Sequence, residues 1–148
     1  MNFFSQNDPR WSKDKIGDSK WTLGQKGCTI DCVADASSYF GEETTPKEIA
    51  RMPMFTPDGL ILWTRLKYNF KTFEFEYRGY NYDKNKINEA LKNPDKVVMV
   101  NVDKKAHWVF ITGSYIPVFG YKVNDPFPFP SKSTRRNDIV GYAILRRK

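Results

Sequence analysis

The sequence predicts an α+β fold, helices packed on an antiparallel β-sheet, and three observations carry that reading. Helix signals crowd the first half of the chain. Strand signals crowd the second half. The later strands are joined as hairpins, through turn-forming stretches. The 148 residues fit one domain spanning 1–148. At this length roughly two-thirds of the unfolded surface can be buried. A composition 40% hydrophobic and 16% aromatic argues against disorder. No low-complexity run and no repeat at a fixed period interrupts it.

The elements follow in order. Residues 1–26 read as an N-terminal arm rich in turn formers (NDP, GDS, LGQKG), anchored to the core by Trp11 and Trp21. Residues 28–40 read as a helix, because Ile30, Val33, Ala34, Ser37 and Phe40 recur at helical spacing and make one buried stripe, with Gly41 as its C-cap. Thr45-Pro46-Lys47-Glu48 is a capping box with proline at the first helical position, opening a short helix over 46–52. Pro57-Asp58-Gly59 precedes a second helix over about 59–68. Phe73, Phe75 and Tyr77 alternate with charged residues, as in a strand with one buried face. Asp83 caps a helix over about 84–92, which Asn93-Pro94 ends. VVMVNV (97–102) is a continuous apolar run typical of a central strand. HWVFITGSY (107–115) and FGYKVND (119–125) flank a turn around Ile116-Pro117, and IVGYAILRR (139–147) is the last strand.

The net charge of +7 and pI near 9.4 favour polyanionic partners such as nucleic acid, an anionic membrane surface or a cell-wall polymer. The basic residues are scattered apart from Arg135-Arg136 and the tail Arg146-Arg147-Lys148, so an ordinary lysine-rich surface explains the charge equally well. No stretch approaches the roughly 18 apolar residues of a membrane span. The N-terminus lacks a signal peptide's charged start and apolar middle. The expected location at synthesis is therefore cytoplasmic, with phage lysis or carriage in a virion as routes to the cell wall.

GCTIDCVADASSYFG (27–41) holds the only two cysteines. A Cys28–Cys32 disulfide is disfavoured, because residues four apart on a helix direct their Cα–Cβ vectors in parallel. A structural zinc site needs four Cys or His ligands, and two cysteines with one histidine do not supply them; no metal and no cofactor is expected. Two readings remain: small buried core thiols, or one nucleophile. Cys28 follows Gly27 at the first turn of its helix, where unpaired N–H groups and the macrodipole stabilise a thiolate and offer part of an oxyanion hole. Cys32 lies a turn inside. If one cysteine reacts, it is Cys28.

A thiolate nucleophile needs a base held by a third polar group. His107 is the single histidine and begins a strand, where sites cluster. With the hairpin centred near Ile116, antiparallel pairing sets His107 opposite Asp125 on one face. Asn124 then points to the other face and becomes the alternative third member, since a one-residue bulge would exchange the two.

At this point the chain resembles the papain-like cysteine peptidase superfamily, in its bacteriocin-processing-type (C39-like) branch of bacterial or phage origin. The resemblance rests on FSQNDPRW, LGQKGCTI, SSYFG followed by TP, HWVFITG and VNDPFP, in family order over roughly residues 3 to 130. It implies a nucleophile helix packed on an antiparallel sheet that carries the histidine. It also implies Cys28 as nucleophile, His107 as general base and then acid, and Asp125 as the residue orienting the imidazole. A glutamine amide as oxyanion donor is Gln6, with Gln25 in reserve. Asp31 and Asp35 depart from the family pattern. A charged Asp31 near the thiol would blunt it, so Asp31 is expected to face solvent or a basic substrate group.

The resulting reading is a thiol hydrolase acting on a peptide, a protein or peptidoglycan, for which the positive charge suits an anionic wall polymer. Trp63, Tyr80, Tyr82, Trp108, Phe127 and Phe129, with Trp11 and Trp21, are candidates to line its cleft. The rival is a weak or inactive papain-like scaffold whose basic clusters hold a protein or polyanion. Without aromatics interleaved among the basic residues, nucleic acid is poorly supported.

Overall fold

The computed structural model describes all residues 1–148. Its centre is a six-stranded, wholly antiparallel sheet in the order β1-β6-β2-β3-β4-β5. The strands are β1 Phe73–Gly79, β2 Lys96–Val102, β3 His107–Ile116, β4 Gly120–Asp125, β5 Lys132–Arg136 and β6 Gly141–Arg147. Two helices matter most: α2 (Cys28–Tyr39) covers one face of the sheet, and α5 (Lys84–Leu91) covers the other. Short helices α1 (Leu23–Lys26), α3 (Pro46–Ile49) and α4 (Leu66–Asn69) fill the connections.

This layering explains the run in β2. Met99 faces α2 and joins Ile30, Val33, Phe40, Phe110 and Leu145 in the larger core. Val98 and Val100 face α5 and join Ile87, Val109, Tyr121 and Ile144 in the smaller one. A strand apolar on both faces is a strand covered on both faces. The helix stripe also forms as its spacing dictates, with Ile30, Val33, Ala34 and Ser37 all buried. The capping box at Thr45 is present in full, and Asp83 accepts from the Lys86 N–H at 3.0 Å.

Four local expectations change. Residues 59–68 hold only a 3₁₀ turn (Trp63–Arg65) and α4, because Thr56 and Leu60 exchange hydrogen bonds around Gly59 at φ +81° and close a tight loop instead. The helix expected over 46–52 stops at Ile49, four residues before Pro53. Gly41 closes α2 as expected, at φ +81° one residue past Phe40, with the Gly41 and Glu42 N–H groups donating to the Ser38 and Ser37 carbonyls. In β1 a bulge follows Phe75, since Phe75 pairs with Leu145 and Tyr77 with Ile144. The extra residue, Glu76, meets Lys96 at 2.9 Å, and Tyr77 is left exposed. Strand β5 (KSTRR) was not anticipated, because a polar edge strand carries no apolar alternation.

The arm is anchored as expected at Trp11, which is buried and donates from Nε1 to the Ser5 carbonyl at 2.7 Å; Trp21 is only partly buried. The basic clusters are engaged within the chain. Arg136 pairs with Asp103 and Asp138. Arg146 pairs with Glu74 at 3.1 Å and Arg147 with Asp95 at 3.0 Å, while Arg135 Nη1 donates to the Gly120 carbonyl at 3.1 Å. No helix is long and apolar enough to cross a membrane.

Candidate active site

Three elements converge on one cleft of about 870 Å³: the start of α2, the start of β3 and the end of β4. Cys28 is the first residue of α2 and lines the cleft. The N–H groups of Cys28 and Thr29 have no acceptor within the chain, so the helix start presents free donors beside the thiol. Gly27 is required there by contact: a Cβ at this position would lie 2.4 Å from the Leu23 carbonyl oxygen. Cys32 is completely buried in the larger core, and burial, followed by the nearby Asp35 carboxyl, pushes its thiol well up.

His107 Nε2 donates to Asp125 Oδ1 at 2.7 Å. The same oxygen accepts the Phe127 N–H at 3.0 Å, and the Phe127 ring meets the imidazole edge to face at 6.5 Å. With Nε2 held by the carboxylate, Nδ1 is the nitrogen left for the thiol, and Cys28 lines the same cleft and is among the groups that raise this imidazole. Burial disfavours a charged imidazole here, but the hydrogen bonds to Asp125 and Cys28, with their negative charges, outweigh it and raise His107 to about 9. Burial likewise pushes Asp125 up, and the bonds from His107 and the Phe127 N–H reverse this and hold it below the ordinary carboxylate range. Because the folded value of His107 lies above the unfolded one near 6.5, the pair's contribution to stability is full below about pH 6.5 and is lost as pH rises through about 9.

One consequence is directly measurable. The carbon-bound imidazole protons of the single histidine should titrate in the NMR spectrum with a midpoint near 9. In Asp125→Asn the midpoint should fall by about one unit or more, as removal of an adjacent opposite charge dictates. An unchanged midpoint in the variant would refute the Asp125 assignment.

The expected hairpin register is two residues out. Phe110 stands opposite Asn124 and Ile111 opposite Val123, and a further shift follows before Tyr115. A shift of two keeps the parity of the pairing, and His107 and Asp125 do meet. Asn124 does not join them; it is buried and its Nδ2 approaches Asp35 without closing to a full hydrogen bond. Gln6 is buried at the cleft wall, with Nε2 donating to the Gly24 carbonyl at 3.1 Å and Oε1 without a partner. Gln25 also borders the cleft, but its Oε1 accepts the Thr22 N–H at 3.0 Å in the capping box of α1.

Asp31 contradicts the expectation of a solvent-facing or substrate-facing carboxylate. It is completely buried, and neither carboxylate oxygen has a hydrogen-bond partner. Residues Ile30 to Ser37 are buried without interruption, so α2 is covered on every face and Asp31, about 100° around the helix from Ile30, is enclosed outside the apolar stripe. Burial, then Asp35, then Cys28 push its carboxyl far up, so it stays protonated and places no charge beside the thiol. Asp35, one turn on, is also buried and accepts the Phe4 N–H at 2.9 Å.

Two supports of the site lay outside the sequence reading. Asn101 is buried in β2 and donates from Nδ2 to the carbonyls of Lys105 (3.3 Å) and His107 (2.9 Å). It fixes the entry to β3, and the clue was a polar residue inside VVMVNV. The loop it holds has three successive non-glycine residues at positive φ: Asp103 (51°), Lys104 (54°) and Lys105 (80°). Such strain persists only where neighbours over-determine it; Arg136 and Asp138 clamp Asp103 from outside. Of the candidate aromatics, Trp63, Tyr80, Trp108 and Phe127 border the cleft. No group of three or more His, Cys, Asp and Glu side chains is arranged to hold a metal ion. No family model, curated protein or solved structure matches the chain.

Proposed function

We propose that the protein is a cysteine peptidase of papain-like, C39-like type, cleaving peptide or isopeptide bonds with Cys28, His107 and Asp125. The observation that carries the reading is the bond between the single histidine's Nε2 and Asp125 at 2.7 Å, in an open cleft that a helix-first cysteine also lines. A buried structural histidine would not need a free thiol at a helix N-terminus beside it.

The chemistry then proceeds as follows. The Cys28 thiolate attacks the scissile carbonyl carbon, and the free Cys28 N–H receives the oxyanion, joined by the Gln6 amide once its Nε2 turns from the Gly24 carbonyl. Imidazolium His107 gives its Nδ1 proton to the leaving amine as the C–N bond breaks. Water, deprotonated by His107, attacks the acyl-enzyme; the thioester C–S bond breaks and a carboxylic acid leaves. Asp125 keeps the ring in register throughout. The net charge of +7 favours an anionic substrate matrix such as peptidoglycan with its wall polymers, as for an endolysin-like enzyme. The binding-module alternative loses support because the basic clusters it relies on are paired or bonded within the chain.

The test is digestion of purified peptidoglycan and of a quenched peptide library, with new amine ends located by mass spectrometry. Wild type is expected to release them through a thioester on Cys28 that hydroxylamine discharges, and Cys28→Ser to release none. Cleavage that persists in Cys28→Ser would refute the reading.

A further inference from the structure

We propose that the guanidinium of Arg78 is a carboxylate-binding subsite of the cleft, so that the enzyme prefers peptides carrying an acidic group near the scissile bond. This deepens the peptidase reading and rests on it. Arg78 lies in β1 and borders the same cleft as Cys28 and His107. Its guanidinium carbon sits 4.3 Å from the Tyr80 ring centroid and 4.8 Å from that of Trp108. Nη1 donates to the Gly79 carbonyl, and no other N–H of the group finds an acceptor in the chain. Arg136, Arg146 and Arg147 each meet a carboxylate; Arg78 meets none.

The position is built for this side chain. A Cβ on Gly141 would lie 2.8 Å from Arg78 Nη1, so the neighbouring strand is bare where the guanidinium passes. The aromatic contacts orient the planar group and remove water from it. Desolvation lowers its pKa from the usual arginine value, the mark of a charge held out of water without a counter-ion. A planar fork with free N–H groups in a partly dry cleft takes a carboxylate in bidentate fashion. The surrounding charge agrees. Lys26 and Lys105 border the cleft with the same sign, while Asp125 is bonded to His107 and Asp103 to Arg136. Asp58 is the remaining acid on the lining, and it is exposed.

The test uses N-bromoacetyl tripeptide amides built on alanine, with Glu or Gln at each position in turn, and a matched pair ending in a free carboxylate or an amide. The Cys28 thiolate displaces bromide, and the second-order labelling rate is read at low ionic strength. One carboxylate placement should label roughly 10-fold faster than its uncharged counterpart, as a charge-assisted hydrogen bond provides. Preference in the Glu series identifies a side-chain source; preference in the terminal pair identifies a peptide C-terminus. The ratio should fall to about one in Arg78→Met. In Arg78→Glu it should invert toward Lys-containing probes, a gain that a misfolded variant cannot show. Equal rates at every placement, or a preference unchanged in Arg78→Met, would overturn the proposal. Acetyl-capped versions of the same peptides, titrated into Cys28→Ser protein by tryptophan fluorescence, separate the two readings. If Cys28 fails to alkylate while the acetyl peptides keep an Arg78-dependent preference, the peptidase reading falls and the carboxylate site stands. If neither preference exists, the site falls.

Discussion

His107→Ala is expected to slow iodoacetamide labelling of Cys28 at pH 6 by roughly 10- to 100-fold, with Cys32 unlabelled in both proteins. An ordinary thiol with pKa about 8.5 is thiolate in only about one molecule in 300 at this pH. The imidazole of His107, raised to about 9, is charged there and lines the same cleft as the thiol, so its positive charge stabilises the negative charge that develops on sulfur as it reacts. A stabilised thiolate is also a weaker nucleophile, which removes on the order of tenfold from the gain. Cys32 stays silent because it has no solvent exposure and burial opposes its ionisation. Turnover should suffer more than alkylation, by on the order of 10³-fold or greater, because the imidazole must also protonate the leaving amine. Site-resolved mass spectrometry gives both labelling rates; equal Cys28 rates in wild type and His107→Ala would eliminate the thiol–imidazole pair. A second readout uses charge. Anionic iodoacetate, which the imidazolium attracts, should lose its advantage over neutral iodoacetamide as pH rises through about 9.

The parts of the site legible in the sequence are those fixed by local chemistry or by parity. Gly27-Cys28 at the head of an apolar stripe marked the thiol that lines the cleft, and Cys32, a turn inside the helix, is completely buried. The single histidine left one base, and the hairpin's odd-even parity selected Asp125 over Asn124 although the register itself was two residues out. What escaped was set by distant partners. Asn101 earns its place by bonding carbonyls four and six residues away. The loop at 55–61 closes through Thr56 and Leu60 rather than extending a helix. Strand β5 exists because β4 offers an open edge, which no feature of KSTRR announces. Asp31 is the most instructive miss. It lies outside the apolar stripe, about 100° around the helix from Ile30, and is buried because α2 is covered on every face, which the spacing of one stripe does not announce.

Asp31→Asn is therefore expected to stabilise the fold at pH 7 relative to wild type, by about 1.4 kcal/mol for each pH unit above the unfolded carboxyl pKa over which the native acid keeps its proton, and to leave the protein's stability at pH 3.5 nearly unchanged. The unfolded chain releases this proton near 3.9; the folded chain keeps it to far higher pH, because burial, Asp35 and Cys28 all oppose ionisation. Between those limits the native state holds one more proton than the unfolded state. Stability then falls as pH rises, by about 1.4 kcal/mol per unit for each such group, and is full only below the unfolded pKa. Asparagine has no proton to hold, so its curve loses that slope while Asp35, buried and likewise pushed up, keeps its own. Urea unfolding of both proteins at pH 3.5, 5 and 7 measures the difference, and parallel curves would mean that Asp31 is ionised in the native state. The same variant bears on the chemistry. A neutral Asp31 places no charge beside Cys28, and asparagine is neutral too, so the variant should alkylate at the wild-type rate. A protonated Asp31 is thus compatible with the proposed nucleophile at the start of the helix, because no negative charge from Asp31 then lies beside Cys28.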